Sequence, residues 1–130
     1  MPSMKIVAGS IDIQPLLNAS AAFQAALGQV TSDLTRDGAI QRFEYTFELC
    51  WKTMRRVLRT KGSEVNHPRD VFREAAADKL IADPMVWFGF LESRNKITHI
   101  YKQEVADEVF AVLPAFNKSL TEFLSALEDL

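Results

Sequence analysis

Residues 39–61 read Ala39-Ile40-Gln41-Arg42-Phe43-Glu44-Tyr45-Thr46-Phe47-Glu48-Leu49-Cys50-Trp51-Lys52-Thr53-Met54-Arg55-Arg56-Val57-Leu58-Arg59-Thr60-Lys61. In this stretch Ile40, Phe43, Phe47, Cys50, Met54 and Val57 recur at three- and four-residue spacing. That period places them on one side of an α-helix. Gly62 comes directly after Lys61, and a glycine just past the last periodic residue is a helix stop. A long amphipathic helix is therefore the element around which the rest must pack.

Working outward gives more helices. From Asp12 to about Asp33 the apolar positions are Leu16, Phe23, Leu27 and Val30, with Ser20 filling one slot. Asp12 can cap this segment, and Pro15 falls in the first turn, where a missing N–H costs little. Asp33 to Gly38 reads as a connector to the long helix. On the other side, Pro68 opens a shorter helix reaching about Lys79. Asp83-Pro84 marks a fourth start, with Asp as cap and Pro in the first helical position. Trp87, Phe90 and Leu91 line that helix before it reaches Arg94. The last segment, Glu104 to Leu127, carries Val105, Val109, Val112, Phe116, Leu120, Phe123 and Leu127 on one side. Pro114 lies within it and predicts a kink or a short break. Five helical segments without a convincing strand predict an all-α fold, a four- to five-helix bundle, mostly antiparallel because the connections are short.

The chain has 130 residues, enough for one domain, 1–130, that buries a core without disulfides or metals. With 48% hydrophobic and 25% charged residues it reads as a soluble globular protein. Its formal net charge of -2 gives no general attraction to nucleic acid or anionic lipid. A nucleic-acid role therefore requires a local basic patch. Cys50, between apolar neighbours, reads as a core residue; one cysteine makes no internal disulfide. Met1 to Ser10 fits neither a secretory signal nor a membrane span, so the expected location is cytoplasmic. The sequence offers no metal-ligand set and implies no cofactor.

The chemically informative stretch is Glu92-Ser93-Arg94-Asn95-Lys96-Ile97-Thr98-His99-Ile100-Tyr101. Asn95 and His99 are one turn apart on one face. Arg94 and Tyr101 share a face if the helix continues that far. Arg94 and His99, five residues apart, are separated by roughly 140° around an ideal helix. One copy does not readily aim both at a single atom, but two copies facing across a two-fold axis can. Such a site suits metal-independent RNA cleavage. His99 moves a proton at the ribose 2′-OH or the leaving 5′-oxygen; Arg94 holds the scissile phosphate; Asn95 orients His99 or binds a phosphate oxygen. The competing reading is that these are capping and salt-bridge residues at a helix end.

Lys52, Arg55, Arg56 and Arg59, with Lys61 beyond, form a basic row on one side of the long helix. It can track a phosphate backbone or serve as a solvated face balancing acidic neighbours. Glu44 and Glu48, at i and i+4, could bind a metal or share a proton; salt bridges to Arg42 or Lys52 are the simpler expectation. His67 reads as a loop or cap residue. Trp87 reads as a core or dimer contact.

Three linked blocks carry a family resemblance. Arg42 to Met54 resembles the second-helix signature of the nucleotidyltransferase substrate-binding proteins. Pro68-Arg69-Asp70-Val71-Phe72-Arg73-Glu74-Ala75 resembles their third helix. Trp87 and Arg94-Asn95-(x3)-His99-Ile100-Tyr101 resemble their fourth. The likeness spans roughly Leu16 to Phe123, in order. Glu92 fills the acidic position ahead of the motif, and Pro114 departs from the family pattern. That family belongs to the HEPN superfamily, and the R-x4-H-x-Y form is that of HepT-type toxins.

The resemblance implies a HEPN-like bundle that forms a homodimer through the motif helix, with Arg94 and His99 as the ribonuclease pair. It also implies a partner, an MntA-type minimal nucleotidyltransferase that silences the toxin by adding AMP to Tyr101. A different reading of the same family is a non-catalytic subunit that presents substrate to a nucleotidyltransferase. A third is a helical scaffold.

Overall fold

The computed structural model describes residues 4–99 and 103–130, and gives only the backbone of Thr98 and His99. Tyr101 and the His99 side chain, both singled out from the sequence, lie outside the described residues. Among the described residues the chain forms a short hairpin, β1 (Ile6–Val7) and β2 (Ile11–Asp12), followed by five helices. These are α1 (Gln14–Leu27), α2 (Asp33–Thr60), α3 (Pro68–Ala77), α4 (Pro84–His99) and α5 (Gln103–Glu128).

The hairpin is the feature that hydrophobic periodicity did not disclose. Its strands pair antiparallel, Val7 with Ile11, across a turn in which Ala8 and Gly9 both have positive φ. Two residues per strand are too few to show an alternation. The hairpin still matters, because it buries Val7, Ile11 and Ile13 against the bundle. Asp12 Oδ1 accepts from Gln14 N–H at 2.9 Å and from Lys5 N–H at 3.2 Å. The expected cap is thus real but acts from one residue before the N-cap position, which Ile13 occupies. α1 ends at Leu27, short of the expected Asp33, and Val30 lies in the connection.

The predicted connector from Asp33 to Gly38 is instead the first part of α2. Ser32 is its N-cap, and Ser32 and Thr35 form a reciprocal capping box with threonine in the place usually taken by Glu or Gln. Gly38 sits inside the helix at a cost of about 0.5–1 kcal/mol relative to alanine, which Ala39, Ile40 and Phe43 offset by burial just beyond it. At the far end Gly62 has φ +91°. Ser63 N–H bonds to Leu58 O at 3.1 Å and Gly62 N–H to Arg59 O at 3.1 Å. This is the Schellman closure that the glycine predicts.

α3 closes in the same way, its last residue two positions before the expected Lys79. Leu80 N–H bonds to Ala75 O at 2.9 Å and Lys79 N–H to Ala76 O at 3.1 Å, with Lys79 at φ +64°. α4 starts as predicted, with Asp83 Oδ1 accepting from Met85 N–H at 2.9 Å. α5 runs unbroken through Pro114, so of the kink or short break expected there the break is absent. Pro114 is exposed while its neighbours Leu113 and Phe116 are fully buried. Proline cannot donate the helical hydrogen bond at this point, and core contacts on both sides hold the helix together.

The core is aromatic. Phe116 on α5 meets Phe23 of α1 at 5.3 Å, Phe43 of α2 at 4.9 Å and Phe90 of α4 at 5.3 Å, all edge-on. Trp87 on α4 stacks with Phe47 at 6.3 Å and meets Phe72 of α3 at 5.8 Å and Phe123 of α5 at 6.1 Å. Each such pair adds about 0.5–1.5 kcal/mol beyond the area it buries. Trp87 is therefore a core residue. Near one end, buried Arg36 of α2 donates to Asp107 of α5 at 2.7 Å and also pairs with Asp33 and Asp37. This ties the start of α5 to the start of α2.

Lys79 offers a direct test of how α3 closes. A left-handed conformation costs a non-glycine residue about 1–2 kcal/mol, and Lys79 makes no side-chain ion pair among the described residues. Lys79→Gly is expected to stabilise the protein by up to about 1 kcal/mol, measured as a higher urea midpoint with unchanged slope.

Candidate functional site

The motif helix brings Arg94 against α2. Its Nη2 lies 2.5 Å from Glu48 Oε2, and its Nη1 donates to Asn95 Oδ1 at 3.3 Å. Both partners of the ion pair are largely covered, with side-chain exposures of 26% for Arg94 and 31% for Glu48. Glu48 Oε1 also takes Lys52 Nζ at 3.4 Å. The salt-bridge expectation for Glu48 toward Lys52 holds. That for Arg42 does not, since Arg42 Nη1 donates to Gly38 O at 3.4 Å instead.

α4 remains helical through His99. Asn95 and His99 are therefore one turn apart along its backbone, and Arg94 and His99 keep their separation of roughly 140° about its axis. The described part of α4 runs to His99, so the shared face expected for Arg94 and Tyr101 depends on residues outside those described. Lys96 Nζ reaches Glu108 Oε2 of α5 at 3.3 Å, a tie between the motif helix and α5.

Two glutamates one turn apart on α2 sit beside Arg94 and titrate in opposite directions. Burial pushes Glu44 above its ordinary value, only partly offset by the Arg94 charge. For Glu48 burial also pushes upward, but the Trp51 indole, Arg94 and Lys52 together pull it below its ordinary value. Trp51 Nε1 is buried without a well-aligned acceptor; it lies close enough to Glu48 to favour the charged carboxylate but falls short of a full hydrogen bond. Among the described residues no group of three or more His, Cys, Asp or Glu could hold a metal ion.

The basic row on α2 is less uniform than its spacing suggests. Lys52 is tied to Glu48. Arg55 lies over the Trp51 ring at 5.0 Å, with its Nε buried and unbonded. Arg59 donates to Asn66 Oδ1 at 2.6 Å. Arg56 is exposed. Most of the row is thus engaged with the protein, and Arg56, Arg59 and Lys52 are the members that reach solvent. The sequence did not single out a second cationic cluster, Arg69 and Arg73 of α3, which both stack on the Phe88 ring, at 5.4 and 5.1 Å. Cys50 is fully buried, and burial pushes its thiol upward, which fits a core residue. His67 precedes α3 as its N-cap without a side-chain hydrogen bond. A cleft of about 680 Å³ between α1 and α2, lined by Ala19, Ala22, Arg42 and Tyr45 among others, contains no residue of α4. Among the described residues no helix is long and apolar enough to cross a membrane.

Residues 11–129 match the family described as nucleotidyltransferase substrate binding protein like. A Haemophilus influenzae protein named "Probable ribonuclease HepT" is 34% identical over 92 residues, covering 67% of this chain and 63% of that protein. The aligned part thus spans less than two-thirds of that relative. Among solved structures, a Thermus thermophilus protein superposes with a TM-score of 0.79 at 32% identity, covering 86% of this chain and 98% of that one. A Haemophilus influenzae protein, described as revealing the fold of a substrate binding domain of a nucleotidyltransferase, superposes with a TM-score of 0.74 at 28% identity, covering 87% and 98%.

Arg94 lowers both neighbouring carboxyls, so its removal has a signed consequence. In the intact protein Glu44 is raised above the ordinary carboxyl range and Glu48 is held below it. Arg94→Ala is expected to raise both, carrying Glu48 upward as burial goes unopposed by the guanidinium. A carboxyl-carbon NMR titration measures this directly. A group with a depressed pKa stabilises the fold above its unfolded value and loses that contribution as pH falls through its folded value. The stability gap between wild type and Glu48→Gln should therefore close in acid.

Proposed function

Because the chain belongs to the nucleotidyltransferase substrate-binding protein family, we propose that it is a HEPN-type ribonuclease toxin of a toxin–antitoxin module, acting without a metal. The observation that carries this reading is Arg94, held at the polar end of α4 by Glu48 and sharing that helix with His99. The similarity to a relative named as a HepT ribonuclease supports it.

In the proposed reaction the ribose 2′-oxygen attacks the adjacent phosphorus and its proton passes to a histidine. The P–O5′ bond breaks as the protonated histidine returns a proton to the 5′-oxygen, giving a 2′,3′-cyclic phosphate and a 5′-hydroxyl. Arg94 stabilises the charge that develops on the phosphoryl oxygens. Asn95, bonded to Arg94, supports the pair. The separation around α4 favours a composite site between two copies, with Arg94 of one opposite His99 of the other. The N-terminal half of α4 offers a surface for that contact, since Met85 and Val86 are 67% and 42% exposed and Gly89 has open space around it. Lys52, Arg56 and Arg59 would guide the RNA backbone. In this reading a minimal nucleotidyltransferase partner adds AMP to Tyr101, and the bulky anion two residues from His99 repels RNA phosphates.

A second reading is favoured by the structural relative described as a substrate binding domain. In it the same Arg and His hold a phosphate or nucleotide for a nucleotidyltransferase and cleave nothing.

Induced expression of the chain alone separates the two. A ribonuclease arrests growth, Arg94→Ala and His99→Ala each relieve the arrest, and the purified protein cuts RNA in the presence of EDTA. Unaffected growth with soluble, unmodified protein that leaves RNA intact supports the binding subunit instead.

A further inference from the structure

Glu48 is the carboxylate that pairs with the motif arginine, and the proposed reaction does not use it. Electrostatics makes its presence a question. A carboxylate beside a phosphate-binding arginine repels RNA and neutralises the charge that attracts it. On a protein whose net charge is already -2, affinity alone would favour a neutral residue there. Orientation favours the acid. A free arginine side chain samples many rotamers, at a cost of up to about 2 kcal/mol when it is fixed on binding. One anchored beforehand has already lost that entropy.

We propose that Glu48 is a positioning residue for Arg94, fixing the guanidinium by one edge and leaving its remaining donors for a phosphate. The inference rests on the ribonuclease reading for its catalytic consequence, though not for its geometry. Nη2 is taken by Glu48 at 2.5 Å and Nη1 by Asn95 at 3.3 Å. Of the five N–H donors that a guanidinium carries, these contacts occupy two. The carboxylate is itself held: Lys52 sits on its other oxygen at 3.4 Å, and the buried Trp51 indole faces it. Exposed ion pairs contribute little because both partners move. This one joins two helices already packed through Trp87 and Phe47, so its geometry is set by the core. Glu48 also links the basic row to the motif, since Lys52 and Arg94 share one acidic hub.

The role separates from a purely structural one by what each variant does to turnover and to binding. Glu48→Ala should cut kcat on RNA by about ten- to a hundred-fold, the scale of a misplaced group. KM should stay level or fall, because Lys52 and Arg94 lose a countercharge. Glu48→Gln, which keeps an acceptor oxygen, should recover part of the loss, with both variants melting within a few degrees of wild type. A second measurement does not need activity. In ¹⁵N-arginine spectra the Arg94 guanidinium, identified by its disappearance in Arg94→Lys, should show slowed rotation in wild type and averaged signals in Glu48→Ala. Unchanged kcat in Glu48→Ala, or a loss lying wholly in KM, overturns the proposal, as does an Arg94 signal indifferent to Glu48. If wild type cleaves no RNA, the ribonuclease reading fails while the Arg94 signal still decides the positioning role.

Discussion

The contact between Trp87 of α4 and the aromatic rings of α2, α3 and α5 is the constraint on which the site depends. Phe116 adds a second layer, touching rings on α1, α2 and α4. Close-packed aromatic cores have few alternative arrangements, so the register of α4 against α2 is fixed there. Arg94 lies seven residues, two turns, beyond Trp87 and emerges opposite Glu48, one residue beyond Phe47. The polar pair is thus placed by apolar packing rather than by its own attraction. Arg36 with Asp107 and Lys96 with Glu108 then hold the two ends that flank the motif.

The electrostatics of the site are local. A net charge of -2 gives the molecule no long-range attraction for RNA, and two glutamates flank the motif arginine. On α2 the positive surface comes from Lys52, Arg56 and Arg59, while Arg55 is held over the Trp51 ring. Any phosphate binding by such a surface would be weak and salt-sensitive. Precise presentation of Arg94 then matters more than total charge.

The amphipathic stripes of α2 and α5 were legible because their apolar residues recur over many turns, and Asp83-Pro84 and Gly62 marked boundaries by stereochemistry alone. The reading failed where one residue type outweighed its context. Gly38 looked like a breaker, but the Ser32–Thr35 capping box had already started the helix. Pro114 suggested a kink or a short break, and the break is absent because it faces solvent between buried neighbours. The hairpin was too short to carry a period. At the site, Arg94, Asn95 and His99 were visible as a motif on one helix. The partner of Arg94 was not, because Glu48 is 46 positions away and reads in sequence as one half of an i, i+4 surface pair. Only the packing of α4 on α2 turns it inward. The row from Lys52 to Arg59 shows the converse: helical spacing identified the face but not which of its members were already occupied.

The central claim is a ribonuclease site completed by two copies, and subunit mixing tests it most directly. Arg94→Ala and His99→Ala proteins, each inactive alone, are unfolded together, refolded and assayed on RNA. A composite site predicts that the mixture regains cleavage, because a mixed dimer pairs the Arg94 of one copy with the His99 of the other. A mixture as inactive as its two components, while wild type treated identically cleaves, would contradict it.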